Sequence, residues 1–405
     1  MRDAGAAIAD RRWTILVLAF AARAATGFQF QSVASTAQLL ADHYRVGFSD
    51  IGFLLGIYLV PGVFVAYAAG VLNQRYREDQ LSIVALALMI VSAIGIGLSG
   101  SYLTGLLFRA AGGIGATIAI ITVTKMIADW FNDREIVLAM SVVQMSWPVG
   151  AMIGLPAQAY LADSFGLATA MLSTGVLAAI ALAAFALFYS SPSRSETQQP
   201  ASTNLSRLSL ASIMVAGLIW GAMNVACVLV FTSAPMVLQS HGLSPTLAAS
   251  MVSAVVLLTI VSIPAGGYLI QVAGRTMTSI ALCACIAGGS LALFAMDIWP
   301  MASCVLFGLA VGPLSGAILS LPSLVLTPQE RATGFGLFYS FFYVLMAAGP
   351  AFAGHLQDIW QTPVAPILFS AALLAVIPLM LLIFVSLKRR YDMEHLASAA
   401  YPARA

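Results

Sequence analysis

The sequence predicts an all-α membrane protein whose twelve transmembrane helices form two pseudo-symmetric six-helix halves. Three observations support this fold class: the composition, the number of long apolar runs and an internal repeat. Of the 405 residues, 60% are hydrophobic and only 8% are charged, and the mean hydropathy is +0.95. A soluble domain carries about 25% charged residues, so the composition excludes a soluble protein.

Twelve apolar runs are long enough to cross a bilayer, which takes roughly 20 residues per helix. They cover about residues 13–40, 50–72, 80–100, 102–131, 135–161, 167–190, 208–239, 245–273, 277–296, 299–326, 332–357 and 364–387. The first run is too long for the core of a signal peptide, so we interpret it as a retained span.

The chain divides at its longest polar segment, residues 191–207, which is rich in Ser, Pro and Gln. Such a composition is typical of a linker. We therefore expect an N-terminal half over 1–190, a C-terminal half over 208–390 and a tail over 391–405.

Positive charge indicates the orientation, because Lys and Arg accumulate in cytoplasmic loops. With the N-terminus inside, fourteen of the eighteen Lys and Arg residues lie on the cytoplasmic side and only Arg45 lies opposite. The sequence thus predicts a bacterial inner-membrane protein with both termini in the cytoplasm.

The halves share landmarks separated by 197 residues. These pairs are Gly70-Val-Leu72 with Gly267-Tyr-Leu269, Gly115 with Gly312, and Arg134 with Arg331. Two related six-helix halves place a substrate site near the bilayer midplane and suggest transport by alternating access.

Residues 109–134 contain the most unusual apolar run, because it includes two cations, Arg109 and Lys125. A charge inside a bilayer is costly unless it faces a protein interior or a water-filled cavity. Neighbouring helices can approach closely at three glycines in this run: Gly112, Gly113 and Gly115.

The loop GVLNQRYRED resembles the Gly-x-x-x-Asp-Arg-x-Gly-Arg-Arg signature of the major facilitator superfamily. We interpret Asn73 as the position where the family has Asp, and Tyr76 as the position of a family glycine. In the family that aspartate belongs to a charge cluster that latches the cytoplasmic side. The resemblance therefore implies a weaker latch here, with Asn73 and Arg77 among its members.

Arg109, followed by Gly113 and Gly115, resembles the family's Arg-x-x-x-Gly-x-Gly signature in the fourth span. In the fifth span, Gly150 and Gly154 only partly match the family's antiporter motif, because Pro156 is displaced. The stretches RAATGFQFQSVAS and KMIADWFNDRE look most like carriers described as cyanate-permease-like, which implies a small anion as cargo.

Arg23 is the main candidate for substrate contact. It follows Trp13 by ten residues, or about 15 Å of helix, which places it near the midplane. Gly27 and Gln31 share its helix face. Its flat guanidinium suits a carboxylate or oxyanion; the alternative is a structural arginine bonded to backbone carbonyls.

The repeat pairs Arg23 with Trp220 in the second half, and Asn224 follows on the same face. An aromatic ring and an amide opposite a cation would suit a small anion with a planar or apolar body. Five more aromatic and amide residues are candidates to line this cavity, or else pack helices together. These are Tyr58, Gln144, Trp147, Tyr339 and Tyr343.

For each of the other two cations, Arg109 and Lys125, the sequence leaves two roles open. Arg109 either supports the structure near the first span or attracts the anion. Lys125 either pairs with Asp129, one turn later on its helix, or lines the inward exit. Arg109 and Lys125 point about 160° apart around the helix, so one site is not expected to use both.

The sequence places no Asp or Glu in the central part of any predicted span. Mid-membrane carboxylates relay protons or balance cationic cargo, so their absence argues against cationic drugs and carboxylate-based proton coupling. We expect a monomeric carrier of a small organic or inorganic anion, with no enzymatic activity, cofactor, metal or nucleic acid. The alternatives are a carrier or efflux pump for neutral or amphipathic solutes, with structural cations, and a transport-like receptor without flux.

Overall fold

The computed structural model describes residues 2–131, 135–189 and 205–400, which are helical almost throughout and contain no strand. The α-helices are α1 (Arg2–Ser35), α2 (Ala37–Tyr44), α3 (Phe48–Gly56), α4 (Val60–Arg75), α5 (Glu78–Leu98), α6 (Tyr102–Trp130), α7 (Ile136–Phe165), α8 (Leu167–Phe188), α9 (Arg207–Ser240), α10 (Pro245–Ala273), α11 (Thr276–Ala295), α12 (Pro300–Ser320), α13 (Arg331–Trp360) and α14 (Ala365–Ala400). A short 3-10 helix, Leu321–Leu324, follows α12.

Within these ranges, twelve helical stretches are long and apolar enough to cross a membrane. Each stretch falls on one of the twelve runs predicted from the sequence. The predicted all-helical fold class with twelve spans is therefore confirmed.

The first predicted span is interrupted near its end, where α1 stops at Ser35 and α2 begins after Thr36. The Thr36 hydroxyl donates to the carbonyl of Ser32, at 2.7 Å, and the Ser35 hydroxyl donates to that of Gln31, at 3.0 Å. Such hydrogen bonds back to the preceding turn bend helices. Average hydropathy does not detect this break.

The second predicted span is also interrupted, because α3 ends at Gly56 and α4 begins at Val60. Pro61 lies in the first turn of α4. A proline lacks an N–H and its ring clashes with the carbonyl four residues earlier, so a continuous helix through this point is unfavourable. The backbone at Tyr58 is consequently released from the helix.

The described chain forms two compact units. Unit 1 contains Met1–Thr203 and Pro328–Ser340, and unit 2 contains Asn204–Thr327 and Phe341–Ala405. The segment 328–340, which we had assigned to the C-terminal half, is grouped with unit 1. The expected charged turn at 132–134 and most of the expected linker, 190–204, lie outside the described residues.

In unit 1, α1 and α7 pack closely along their length because glycines remove side-chain bulk between them. A Cβ atom on Gly27 would lie 2.2 Å from the carbonyl oxygen of Trp147, and one on Gly150 would lie 2.0 Å from that of Ala24. Only hydrogen fits at these points, which is the usual reason for small residues between membrane helices.

The glycines of α6 produce the close helix contacts expected from the sequence. A Cβ atom on Gly113 would lie 2.2 Å from the carbonyl oxygen of Tyr58, and one on Gly115 would lie 2.5 Å from that of Ala85. The expectation that these glycines permit close approach is confirmed.

A comparable contact occurs inside unit 2, where a Cβ atom on Gly308 would lie 3.1 Å from the carbonyl oxygen of Val255. Val255 follows Tyr58 by the same 197 residues that separate the other repeated landmarks. Gly308 follows Gly113 by 195 residues, so the two contacts match the repeat only at Val255.

We expect Gly113→Ala to lower the free energy of unfolding by about 1–3 kcal/mol, because the added methyl group overpacks the contact with Tyr58. The measurement is thermal unfolding of the purified protein in detergent. Gly289→Ala in α11 is the matched control, since its Cβ would meet nothing within 4 Å. Equal losses of stability in the two variants would contradict this account.

Candidate functional site

Arg23 lies in unit 1 within a buried group of polar side chains that we call the arginine cluster: Arg23, Gln144, Tyr339 and Thr124. The guanidinium donates a hydrogen bond to the side-chain oxygen of Gln144 and interacts with the Tyr339 hydroxyl. That hydroxyl lies 3.0 Å from the Thr124 hydroxyl. These three neighbours are uncharged.

The parallel register of α1 and α7 places Gln144 beside Arg23. Three side-chain pairs connect the two helices at nearly constant separations of 121 to 123 residues. They are Arg12 with Glu135, Arg23 with Gln144, and Ser35 with Gln158. The tight glycine packing of these helices maintains this register, so Gln144 is a fixed neighbour of the cation.

Three rings lie further along the same part of unit 1 and form what we call the aromatic cluster: Phe30, Trp147 and Tyr58. The Phe30 ring lies 5.5 Å from the Trp147 ring and 5.8 Å from the Tyr58 ring, measured between centroids. Phe30 and Trp147 are half-buried, whereas Tyr58 is buried. The sequence indicated Tyr58 and Trp147, but it gave no signal that distinguished Phe30 from other phenylalanines.

Arg109 has the contacts of a structural residue. It is fully buried and donates to the backbone carbonyls of Gln29, at 2.9 Å, and Phe30, at 2.7 Å. Its guanidinium carbon lies 4.4 Å from the centroid of the Tyr58 ring, a cation–π distance. Of the two interpretations left open by the sequence, these contacts match structural support of α1.

Gln29 is a buried amide that sequence reasoning missed. Its side-chain nitrogen donates to the carbonyl of Met89, at 2.8 Å, and its side-chain oxygen accepts from the Tyr58 hydroxyl, at 3.2 Å. It thus connects α1 with α5 and with the interruption between α3 and α4. The available sequence signal was a polar residue within a membrane helix. Gln31, two residues later, gives the same signal, so the sequence did not distinguish the two glutamines.

The remaining predicted site residues lie on α1 and in unit 2. Gln31 is half-buried on α1. In unit 2, Trp220 is buried with its ring 6.2 Å from that of Phe342, whose ring also contacts Tyr343 at 4.9 Å. Asn224 donates to the carbonyl of Trp220, at 2.8 Å, within its own helix.

Lys125 belongs to what we call the ionic cluster: Glu78, Lys125, Asp129 and Arg331. The Lys125 ammonium group pairs with Asp129 at 2.8 Å and also with Glu78. Asp129 pairs in addition with Arg331, at 2.9 Å. The ion pair predicted between Lys125 and Asp129 is confirmed, whereas Glu78 and Arg331 were missed because neither is near Lys125 in sequence.

Tyr189 lies just beyond the sixth span. Its hydroxyl donates a hydrogen bond to the Glu78 carboxylate. Burial and the negative charge of Glu78 raise the pKa of the Tyr189 hydroxyl above its ordinary value. The phenol therefore stays protonated and remains a hydrogen-bond donor.

Our interpretation of the loop signature is shifted by one residue from the spacing of the signature itself. Counted from Gly70, the aspartate position of the signature is Gln74 rather than Asn73, and the second glycine position is Arg77 rather than Tyr76. The Asn73 amide donates to the carbonyl of Ala69, at 2.9 Å, on its own helix, whereas the Gln74 amide donates to the Thr333 hydroxyl.

Arg77 is exposed and pairs with Asp79 at 3.0 Å, two residues along the chain. It is therefore not a member of the ionic cluster. Asn73 bonds elsewhere, at 3.0 Å to the Thr122 hydroxyl, so a latch that uses both Asn73 and Arg77 stays a prediction.

No metal centre marks a competing site in the described ranges. No group of three or more His, Cys, Asp and Glu residues there could hold a metal ion. A groove of about 460 Å³ between α5 and α6 is lined mainly by apolar residues, including Val91, Leu98 and Phe108. It contains no member of the arginine cluster.

The twelve membrane-spanning helices and the cation buried among them define a multi-pass membrane protein of the transporter class. The chain belongs to the Major Facilitator Superfamily, whose family model matches residues 16–350. It is a secondary transporter built for alternating access. No curated protein sequence matches the chain.

Several solved transporters are similar to this chain in fold. The proton:xylose symporter XylE superposes with a TM-score of 0.77 and 14% identity, covering 93% of this chain and 96% of its own. The E. coli fucose:proton symporter FucP has a TM-score of 0.72 and 15% identity, covering 91% of this chain and 99% of its own. The human organic anion transporter MFSD10 (TETRAN) has a TM-score of 0.71 and 17% identity, also covering 91% and 99%.

We expect Arg109→Lys to lower the free energy of unfolding by about 1–3 kcal/mol, because a lysine keeps the charge but leaves a buried carbonyl without its donor. Thermal unfolding measures the effect, with Arg77→Lys as the exposed control. An Arg109→Lys variant as stable as the wild-type protein would mean that charge alone matters at this position.

We expect Glu78→Gln to lower the free energy of unfolding by about 1.5–3 kcal/mol, because Lys125 loses a charge-assisted hydrogen bond at a largely buried position. Asp79→Asn, one residue further on, is the control; its pair with exposed Arg77 contributes only about 0–1 kcal/mol. Thermal unfolding of both variants distinguishes the two positions, and an equal effect would refute the importance of the ionic cluster.

Proposed function

We propose that this protein moves a small organic or inorganic anion across a bacterial inner membrane, with Arg23 as the main anion contact. The observation that carries the proposal is the buried guanidinium of Arg23, held by the neutral acceptors Gln144 and Tyr339. A positive charge at this depth is costly, and an anion is the ligand that best offsets that cost.

The chemistry of the cluster favours exchange of these neutral acceptors for an anion. A guanidinium offers five donors in a planar fork that matches a carboxylate. Hydrogen bonds between ionised partners are roughly twice as strong as neutral ones. An arriving anion therefore competes with Gln144 and Tyr339 for the same donors, and those side chains hold the guanidinium when the anion leaves.

Arg23 is 4% exposed, so the anion must reach it through a rearrangement of the cluster. Alternating access supplies such rearrangements in each transport cycle. Arg109 contributes to the positive field but acts mainly by supporting α1, because both of its terminal guanidinium nitrogens donate to backbone carbonyls of that helix. Trp220 and Asn224 remain predicted contacts from the second half.

Three further arguments support the proposal. The excess of Lys and Arg on one predicted side predicts cytoplasmic termini, and the resemblance to cyanate-permease-like carriers suggests a small anion. Among transporters of similar fold, MFSD10 is described as an organic anion transporter. We expect the protein to act as a monomer.

The alternative is a carrier or efflux pump for neutral or amphipathic solutes in which all three buried cations are structural. The fold similarity to the sugar symporters XylE and FucP and the backbone contacts of Arg109 favour this alternative. Both candidates predict flux, whereas a transport-like receptor would bind ligand without uptake into proteoliposomes.

We expect Arg23→Gln to weaken binding of small monoanions at least about tenfold, because loss of one charge-assisted contact costs about 1.5–3 kcal/mol. The measurement is the ligand-induced rise in melting temperature with formate, nitrate, acetate and benzoate, followed by proteoliposome uptake. Arg45→Gln, which removes an exposed charge, is the control.

The neutral-solute alternative predicts a different pattern. Xylose or fucose would then raise the melting temperature while the monoanions would not. Anion uptake by Arg23→Gln with unchanged apparent affinity would refute the assignment of Arg23.

A further inference from the structure

We propose that Phe30 and Trp147 determine substrate specificity by contacting the body of the anion whose charged group binds Arg23. The cargo is then an organic monocarboxylate with a flat or apolar body rather than a compact inorganic ion. This inference rests on the proposed function, because it concerns the part of the same ligand that Arg23 does not contact.

On each of the two helices, a polar member of the arginine cluster is followed by a ring. Phe30 follows Arg23 by seven residues, which places it on the same face of α1 about 10.5 Å further along the axis. Trp147 follows Gln144 by three residues on α7, on the same side of that helix. The two rings meet between α1 and α7, with their centroids 5.5 Å apart.

The rings are held in place but not fully covered. The Phe30 ring lies between those of Trp147 and Tyr58, and the Phe30 carbonyl accepts from Arg109 at 2.7 Å. Phe30 and Trp147 nevertheless remain half-buried, unlike Arg23 and Tyr339. Ring surface that stays accessible on a rigid support is suited to ligand contact.

The distance between the arginine cluster and the aromatic cluster determines which anions can contact both. Nitrate or formate bound at Arg23 is too small to span the roughly two helical turns to the Phe30 position. A carboxylate attached to a ring carries apolar surface towards it, where aromatic pairs prefer stacked or edge-to-face contact at 4.5–7 Å. The clusters together select a charged head with an apolar body.

The test compares benzoate with acetate, which share a carboxylate and differ in their bodies, on the purified full-length protein. We expect benzoate to bind at least about tenfold more tightly than acetate to the wild-type protein. Phe30→Leu and Trp147→Leu should each weaken benzoate binding by about tenfold and leave acetate binding nearly unchanged. Phe64→Leu, which alters a lipid-exposed ring on α4, should change neither affinity.

The outcomes separate this inference from the proposed function. If Arg23→Gln abolishes binding of both anions but the ring variants leave benzoate unaffected, the rings do not contact cargo and this inference is wrong, while the anion carrier stands. If neither anion binds the wild-type protein but nitrate or formate does, this inference is wrong and the anion carrier stands; if none of the four anions binds, both proposals are wrong. Trp147→Phe keeps an aromatic ring and should retain most of the benzoate affinity; if Trp147→Leu does not fold, Phe30→Leu and Trp147→Phe decide the matter.

Discussion

The need to satisfy buried guanidinium groups constrains the first unit more than any other interaction. Helix α1 participates twice, because it carries Arg23 and also supplies the carbonyls that accept from Arg109. An unsatisfied donor or an uncompensated charge inside an apolar bundle costs several kcal/mol. The position of α1 against α6 and α7 is therefore not free to vary.

This constraint explains the glycines and the helix interruptions around α1. Gly27 and Gly150 bring α7 close enough for Gln144 to reach Arg23, and Gly113 brings α6 against the released backbone at Tyr58. The Tyr58 ring then covers the Arg109 guanidinium. Small residues and one irregular segment thus bring hydrogen-bond partners to both buried cations: backbone carbonyls to Arg109, and the side chains of Gln144 and Tyr339 to Arg23.

The two cations differ in function because their partners differ. Backbone carbonyls cannot leave Arg109 without distorting α1, whereas the side chains of Gln144 and Tyr339 can rotate away from Arg23. A transporter must bind and release its cargo in every cycle, so reversible partners suit the residue that we propose as the substrate contact. The ionic cluster around Lys125 instead pairs two acids with two bases.

The sequence by itself determined the twelve spans and the Lys125–Asp129 pair, because hydropathy and helical spacing are local properties. It also identified Arg23 as an exceptional residue. Only the tertiary structure decided that Arg109 supports α1, that Glu78, Arg331 and Gln29 join the polar groups, and that Phe30 lies against Trp147. Those contacts link residues far apart in the chain, and a uniformly apolar sequence contains little information about which helix faces meet.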